Sequence, residues 1–284
     1  MTHRSYTLRL PAGELRLGDE PVVMGILNTT PDSFSDGGDN FSLEDALSSA
    51  ERMKAEGAAI LDVGGESTRP GAEEVTAQQE LDRVMPVLDA LRETNYGLPI
   101  SIDTYKAIVA DQAIEAGAVI VNDVCGFQRD PEIADVAAAA DVPVIAMHWD
   151  LKRDRDKDLI TEMARYFDQT LMIADKAGIP KDRIVLDPGF GFGKTFEENY
   201  VLLNRLDELL SLGFPMLIGT SRKSMLGKLL GVPPKDRLAA TVATSVLAYL
   251  KGGHIFRVHD VRANLDGLAV ARATRYGAPP PLEV

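Results

Sequence analysis

Residues 22–27 read VVMGIL, and the polar segment Asn28-Thr29-Thr30-Pro31 follows this uninterrupted apolar run. The same unit recurs along the chain: a short apolar run, a polar loop and then an amphipathic helix. The apolar runs are residues 22–27, 58–63, 98–102, 118–121, 142–147, 183–186, 215–218 and 255–258. Continuous rather than alternating apolar runs are typical of parallel strands that are buried on both faces. Eight strand–helix units in about 250 residues predict an α/β protein with a single (β/α)8 TIM barrel.

The segments between the apolar runs have helical patterns. One helical face is shared by Leu43, Ala46, Leu47, Ala50 and Met53, and another by Met163, Phe167, Leu171 and Ala174. Thr76 with Gln79, and Thr195 with Glu198, have the spacing of capping boxes and mark helix starts. An open, doubly wound sheet is the main alternative. It would usually have fewer units and a glycine-rich dinucleotide turn after the first strand, where this chain has residues 28–31.

The first residues predict a β-hairpin over positions 5–18. Tyr6, Leu8 and Leu10 alternate with polar residues, Pro11-Ala12-Gly13 forms a turn, and Leu15 and Leu17 alternate on the return. We therefore expect a hairpin extension at residues 1–20, the barrel at residues 21–275 and a tail at residues 276–284. The hairpin is expected to cover the N-terminal end of the barrel.

Composition excludes several classes of partner. The 284 residues carry a net charge of −13, which repels nucleic acids and anionic membranes. We find no window of about 18 apolar residues that could form a membrane span. Cys125 is the single cysteine, so the chain can form no internal disulfide. Because the N-terminal segment also lacks the apolar core of a secretory signal, we expect a cytoplasmic protein.

Polar residues follow every apolar run, where a barrel enzyme has its active site. One such residue would be an ordinary cap or turn, but eight at one rim predict a binding site. In chain order these residues are Asn28, the segment 64–69, Asp103, Asn122, His148, Asp187, the segment 219–223, and Arg257 with His259. The long loops at residues 29–38 and 64–75 are rich in Ser, Thr, Pro, Asp and Gly, and loops of this length are usually functional.

Two chemical subsets stand out at this rim. The cations Arg69, Lys223, Arg257 and His259 predict an anionic ligand in an otherwise acidic protein. The alternative is that they pair with nearby acids such as Glu66 and Asp260. The second subset, Asp103, Asn122 and Asp187, suits the ring N–H, amino and carbonyl groups of a flat heterocycle. A buried aspartate beside Lys223 could equally form a structural ion pair.

Two further motifs do not predict sites of their own. Gly193-Lys194-Thr195 resembles the end of a phosphate-binding P-loop, but the first glycine of that motif would fall at Pro188. The segment His148-Trp149-Asp150 has no accompanying histidine or cysteine pair, which makes a zinc site improbable. Asn28, as a lone oxygen ligand, suits a loosely held Mg²⁺ that is shared with a diphosphate.

These rim residues occur in strings that resemble the dihydropteroate synthase family. The most specific strings are MGILNTTPDSFSDGG at residues 24–38, GGESTRPG at 64–71 and DPGFGFGK at 187–194. SIDT at 101–104, NDV at 122–124, SRKS at 221–224 and RVHD at 257–260 follow in the family's order. The resemblance covers about residues 21–272. It is weakest after His148, where family members commonly continue with Met-Gln-Gly. Here the mixed charges of residues 149–156 predict a solvated face.

The resemblance implies a transferase that joins 6-hydroxymethyl-7,8-dihydropterin diphosphate to p-aminobenzoate in folate biosynthesis. The implied pterin-binding residues are Asp103, Asn122, Asp187, Lys223, Met147 and Phe192. The implied diphosphate-binding residues are Asn28, Thr68, Arg69, Arg257 and His259, with Mg²⁺ on Asn28. The implied p-aminobenzoate-binding residues are Phe34, Pro70, Phe192, Lys223 and Ser224.

The resemblance also implies a homodimer and inhibition by sulfonamides, which mimic p-aminobenzoate. The expected catalytic residues are Asp103, Asp36, Lys223, Arg257 and His259. Asp103, with Asp36 from the closed first loop, would stabilise a pterin cation. Two alternatives remain: a methyltransferase barrel that takes a methyl group from methyltetrahydrofolate, and a pterin-binding relative without synthase activity. The first has no use for a diphosphate clamp at Arg257 and His259.

Overall fold

The structure is a computed structural model that describes residues 4–30, 42–67 and 73–280. Its strands are β1 (Tyr6–Leu10), β2 (Gly13–Leu17), β3 (Val22–Asn28), β4 (Ile60–Gly64), β5 (Ile100–Asp103), β6 (Ile120–Asp123), β7 (Val144–Met147), β8 (Ile184–Asp187), β9 (Leu217–Ile218) and β10 (Ile255–Val258). Its α-helices are α1 (Leu43–Ala55), α2 (Ala77–Glu93), α3 (Ala107–Glu115), α4 (Glu132–Ala139), α5 (Leu159–Ala177), α6 (Phe196–Asn204), α7 (Ser224–Leu230), α8 (Leu238–Leu250) and α9 (Val261–Tyr276).

Eight of these strands form one parallel sheet that curves into a barrel. The order is β8-β7-β6-β5-β4-β3-β10-β9, so each strand lies beside its neighbours in sequence and β10 returns to β3. A single parallel bridge between Leu186 and Met216 joins β8 to the segment that leads into β9. The sheet therefore closes into the predicted (β/α)8 barrel, and the doubly wound alternative is wrong.

The strands begin one or two residues later than most of the apolar runs. The run at residues 98–102, for example, becomes β5 at Ile100–Asp103, and the run at 215–218 becomes the two-residue strand β9. The first residues of such runs pack at the entrance of the barrel before the hydrogen-bonded ladder starts. Polar residues such as Asp103 extend the strands at the other end, because the backbone ladder accepts any side chain.

The predicted hairpin closes the N-terminal end of the barrel. β1 and β2 pair antiparallel, with Leu8 opposite Leu15, and Leu8 and Leu17 are buried. Both leucines pack in a cluster with Met24, Ile60 and other residues near the starts of the barrel strands. The hairpin thus removes this end of the barrel interior from water, and the opposite end is left for the site.

The helices bury the faces that the sequence patterns predict. Ala46, Ala50 and Met53 of α1 are buried, although Leu43 is exposed. Both predicted capping boxes are present, at the starts of α2 and α6. Within the described residues, no helix combines the length and the apolar character that crossing a membrane requires.

Candidate active site

The strand ends bring the predicted polar residues to one level of the barrel. In the strand register, Asn28 lies opposite Gly64, Gly64 opposite Asp103, and Asp103 opposite Asn122. On the next strands, Met147 of β7 lies opposite Asp187 of β8. Because neighbouring strands in this register are hydrogen-bonded, these side chains form an arc around the barrel mouth.

A cleft of about 370 Å³ opens inside this arc. Seven sequence-predicted site residues line the cleft: Asp103, Asn122, Met147, Asp187, Phe192, Lys223 and Arg257. Val124, Phe190 and Gly219 complete its walls. Polar groups and apolar side chains thus meet in one place, as a flat heterocycle with polar edges requires.

Arg257 spans the floor of the cleft between two carboxylates. Its Nε donates to Asp62 and its Nη2 donates to Asp103, and each of the two distances is 2.5 Å. The fully buried Asp62 also accepts from the Asn122 amide nitrogen at 3.2 and 3.3 Å. The Asn122 amide is therefore oriented by Asp62. Sequence reasoning missed Asp62, although an acid inside the apolar run at 58–63 was a usable signal.

Burial dominates the ionisation of the two predicted aspartates. It raises the pKa of Asp103 to about 7, against the opposing charge of Arg257. Burial also raises the pKa of Asp187, opposed by the Gly189 N–H, which donates to the Asp187 carboxylate at 2.7 Å. Elevated carboxyl pKa values in a cleft are typical of functional sites.

The mouth of the cleft combines an aromatic ring with a cation. The Lys223 ammonium lies over the Phe192 ring, 4.1 Å from its centroid. Lys223 precedes α7, and Ser224 is the first, exposed residue of that helix. This arrangement offers a positive charge beside an apolar ring surface.

Two loop residues hold the cationic side of the rim. Ser221 Oγ accepts from the His259 backbone N–H at 3.2 Å and lies 2.9 Å from His259 Nδ1. When the Ser221 hydroxyl donates to Nδ1, the ring proton is on Nε2. Arg222, in the left-handed region at φ 56°, makes a bidentate ion pair with Asp260. The loops that carry Lys223 and His259 are therefore tied together.

The acids that might have neutralised the predicted cations have other partners. Glu66 pairs with Lys106, and Asp260 pairs with Arg222. Arg257 does pair with acids, but these acids are Asp62 and Asp103, within the candidate site itself.

Several predicted site residues lie outside the described residues: Phe34, Asp36, Thr68, Arg69 and Pro70. Asn28 is described, as the partly exposed last residue of β3. His259 follows β10 directly and is partly exposed.

Lys194, dismissed as part of a P-loop-like string, has a role in holding the loop after β8. Its ammonium group contacts His148 Nδ1 at 3.0 Å and the carbonyl oxygens of Gly189 and Phe192 at 2.9 and 3.1 Å. Burial lowers the pKa of His148 to about 2, so this imidazole is a neutral acceptor. Lys194 thereby ties the Phe192 segment to the end of β7.

The prediction of a solvated face for residues 149–156 is wrong in part. Arg153 is buried and forms an ion pair with Glu198 of α6. Asp150 binds Arg165 of α5 at 2.9 Å. The charges alone could not reveal this, because both partners come from distant parts of the chain.

Comparisons with known proteins identify the family of the chain. A family model described as a pterin binding enzyme matches residues 24–259. A dihydropteroate synthase of Bacillus subtilis is 48% identical over 244 residues, 86% of this chain and 85% of the relative. One of Clostridium beijerinckii is 46% identical over 260 residues, 90% of this chain and 95% of the relative.

Solved structures give the same result in three dimensions. A Xanthomonas albilineans dihydropteroate synthase with 4-aminobenzoic acid superimposes with a TM-score of 0.90 at 43% identity, covering 96% of this chain and 99% of the other. A Clostridium difficile dihydropteroate synthase, solved in the presence of pteroic acid, gives 0.87 at 47% identity, with 92% and 98% covered.

The barrel and its polar cleft thus define a pterin-binding α/β-barrel enzyme. Within that class, the chain belongs to the dihydropteroate synthase family of transferases, and its activity is that of the family.

Proposed function

We propose that the cleft binds the ring of 6-hydroxymethyl-7,8-dihydropterin diphosphate on its polar floor and p-aminobenzoate at its mouth. The reaction yields 7,8-dihydropteroate and pyrophosphate. The observation that carries this proposal is the meeting of Asp103, Asn122 and Asp187 with Lys223 in one cleft. Carboxylates, an amide and an ammonium supply the acceptors and donors that match the polar edges of a pterin.

Different residues of the floor bind different polar groups of the pterin. Asp187 and Asp103 accept from ring and amino N–H groups, whereas Lys223 donates to the pterin carbonyl. Asn122 directs its amide nitrogen toward Asp62, which leaves its carbonyl oxygen as an acceptor for the ligand. Met147 and Phe192 supply apolar surface for the flat faces of the ring.

The diphosphate is assigned to the cationic side of the rim. Arg257 has five N–H donors, more than the two carboxylates of the floor take. His259 adds the Nε2–H, and Asn28 adds its side-chain amide. Thr68 and Arg69, in the string GGESTRPG, are assigned to the same phosphates by family resemblance. These donors stabilise the negative charge that develops as the diphosphate leaves.

The chain fits a magnesium ion only if the substrate completes its coordination. Among residues 4–30, 42–67 and 73–280, no three His, Cys, Asp or Glu side chains are arranged to hold a metal. Asn28 offers one hard oxygen of the type that Mg²⁺ prefers, so Asn28 would hold the ion together with oxygens of the substrate and water. When bound, Mg²⁺ neutralises charge on the leaving diphosphate.

The chemical step begins with cleavage of the bond between the pterin methylene carbon and the diphosphate oxygen. The electron pair leaves with the diphosphate, and the dihydropterin ring delocalises the positive charge. Asp103, when ionised, stabilises that cation from the floor, with Asp36 assisting from the first loop. The p-aminobenzoate nitrogen then bonds to the methylene and loses its proton to solvent. By the family resemblance, the loops at residues 29–38 and 64–75 would cover the cation until the amine has bonded to it, and the proton would reach solvent afterwards.

The amine is assigned to the outer end of the cleft. Phe192 offers a ring face, and Lys223 and Ser224 lie beside it at the start of α7. Phe34 and Pro70, assigned by resemblance, would complete this subsite. Sulfonamides should therefore compete with p-aminobenzoate in steady-state kinetics, and purely non-competitive inhibition would contradict this placement.

A homodimer is proposed for the assembled enzyme. Exposed apolar side chains are concentrated on α7 and α8: Leu229, Leu230, Leu238, Leu247 and Leu250. Contiguous exposed apolar residues are typical of protein interfaces. We place the enzyme in the cytoplasm, which suits its single cysteine, Cys125.

One assay tests the activity. The pure protein is incubated with the pterin diphosphate, p-aminobenzoate and Mg²⁺, and pyrophosphate release is followed. Release that depends on both substrates is expected, whereas binding of the pterin without release would favour the binding-only alternative. A methyltransferase would instead consume methyltetrahydrofolate.

A variant tests whether the diphosphate and the pterin ring are bound by different residues. Arg257→Ala should weaken binding of the pterin diphosphate much more than binding of the pterin without phosphates. Equal losses of affinity for both ligands would contradict the diphosphate assignment.

A further inference from the structure

Trp149, two residues beyond the end of β7, contacts the aromatic wall of the cleft. Its ring centroid lies 5.1 Å from that of Phe192, with the ring planes at 61°. Trp149 and Phe192 pack against the same small apolar cluster, which includes Val124 and Met147 from the cleft lining. The indole is therefore part of the apolar surface of the site, although it comes from the segment that departs from the family pattern.

The loop that carries Trp149 is anchored on both sides. The next residue, Asp150, is held by Arg165 of α5 at 2.9 Å and accepts from the Lys152 N–H at 2.8 Å. Arg153 is tied to Glu198, which also completes the capping box of α6. Aromatic side chains that are fixed by such contacts can select a ligand, because their positions need not be ordered on binding.

The loop also packs directly on the segment that carries Phe192. A Cβ atom added at Gly193 would lie 3.0 Å from the Asp150 carbonyl oxygen, so the two backbones approach closely. Phe192 receives the Trp149 contact together with the Lys223 ammonium over its ring. Trp149 is thus one of the side chains that limit where the Phe192 ring can lie.

We propose that Trp149 is a specificity-determining residue for the aromatic amine, which it affects through the Phe192 wall at the mouth of the cleft. This inference rests on the proposed function. The polar floor recognises the pterin through Asp103, Asn122 and Asp187, and no contact of the indole with these three side chains is among those of the described residues, whereas the indole does contact the Phe192 ring. Trp149 and Phe192 are partly exposed whereas Asn122 and Asp187 are buried, so the two aromatic rings lie nearer the opening of the cleft, where the amine is assigned.

Kinetics of matched variants test the proposal. Trp149→Ala and Trp149→Leu should raise the KM for p-aminobenzoate by about 3- to 10-fold, the expected value of one aromatic contact. The KM for the pterin diphosphate should rise clearly less than the KM for the amine, because Asp103, Asn122 and Asp187 hold the pterin in addition to Phe192, and Trp149→Phe should restore most of the amine affinity. Leu151→Ala is the control, because Leu151 lies in the same loop and is 70% exposed.

Three outcomes overturn the proposal. Trp149→Leu keeps apolar bulk and should fold. The proposal fails if this variant has the same two KM values as Leu151→Ala. It also fails if Trp149→Leu raises the KM for the amine and the KM for the pterin diphosphate equally. Alternatively, Trp149→Phe could fail to rescue. If the unchanged enzyme releases no pyrophosphate, the proposed function fails instead. Failure of the Trp149 proposal alone leaves pyrophosphate release by the unchanged enzyme intact.

Fluorescence gives a second measurement, because Trp149 is the only tryptophan of the chain. With pterin and pyrophosphate present, p-aminobenzoate should change the emission of the unaltered enzyme in a saturable way, and Trp149→Phe serves as the blank. Emission that does not respond at amine concentrations above the KM would contradict the placement of the indole.

Discussion

Arg257 donates through Nε to the fully buried carboxylate of Asp62 across 2.5 Å, and so joins β10 to β4 beneath the cleft. Asp62 does not line the cleft but contacts two residues that do, Arg257 and Asn122. Arg257 in turn contacts Asp103. A single hidden carboxylate therefore orients the floor on which the ligand is proposed to bind.

Replacing Asp62 should change the pH dependence of the reaction. Burial, with a smaller contribution from the negative charge of Asp62, raises the pKa of Asp103 to about 7. Because ionised Asp103 is required to stabilise the cation, kcat/KM should fall as the pH drops through about 7. Asp62→Asn removes the neighbouring negative charge and lowers the pKa of Asp103, so this acid limb should move to lower pH. Asp266→Asn, on the surface of α9, is the control. An acid limb of kcat/KM that stays at the same pH or moves to higher pH in Asp62→Asn would contradict the electrostatic coupling of Asp62 to Asp103.

Removing Arg257 should destabilise the fold as well as the complex. Arg257→Ala leaves the carboxylates of Asp62 and Asp103 without their buried partner, which should cost about 3 kcal/mol in the free energy of unfolding. Adding Asp62→Asn to this variant removes one unpaired charge and should restore roughly 1 kcal/mol or more. Urea denaturation measures both values. A double variant that is no more stable than Arg257→Ala would exclude the proposed charge relationship.

Gly189 should tolerate no side chain. Its φ is +69°, and an added Cβ would collide with the His148 carbonyl oxygen. Gly189→Ala should therefore cost about 3 kcal/mol or more, because strain and a backbone clash combine. It should also lower kcat/KM by displacing the segment that carries Phe192.

Gly213 provides the matched control for that variant. It ends a 3-10 segment at φ +84°, but an added Cβ meets nothing within 4 Å. Gly213→Ala should cost only about 1 kcal/mol and leave kcat/KM unchanged. Similar losses of stability in the two variants would show that backbone conformation alone, rather than the clash, sets the cost.

The Arg222–Asp260 pair should matter for activity more than for stability. Both side chains are partly exposed, so the pair itself contributes little to the free energy of unfolding, about 1 kcal/mol or less. Arg222→Ala should nevertheless lower kcat/KM by roughly 10-fold, because it frees the loops that carry Lys223 and His259. Arg262→Ala, which breaks the exposed pair with Asp266 on α9, is the control. Equal kinetic effects of the two variants would exclude a positioning role for Arg222.

Much of the architecture follows from local patterns. Continuous apolar runs are a signature of strands buried on both faces, and the capping boxes at Thr76 and Thr195 mark helix starts by a purely local hydrogen-bond exchange. The polar residues at the strand ends could be predicted for the same reason, because a barrel brings all those ends to one rim. Asp103, Asn122 and Asp187 are examples.

The sequence by itself determined the barrel, the end at which its site lies and the types of side chain that line it, because periodicity and strand order are local or nearly local properties. Only the tertiary structure decided which charges meet. Asp62 and Arg257 are far apart in the chain, as are Arg153 and Glu198, and Trp149 and Phe192. Such pairs depend on the register of the strands and the packing of the loops, which no single stretch of residues specifies.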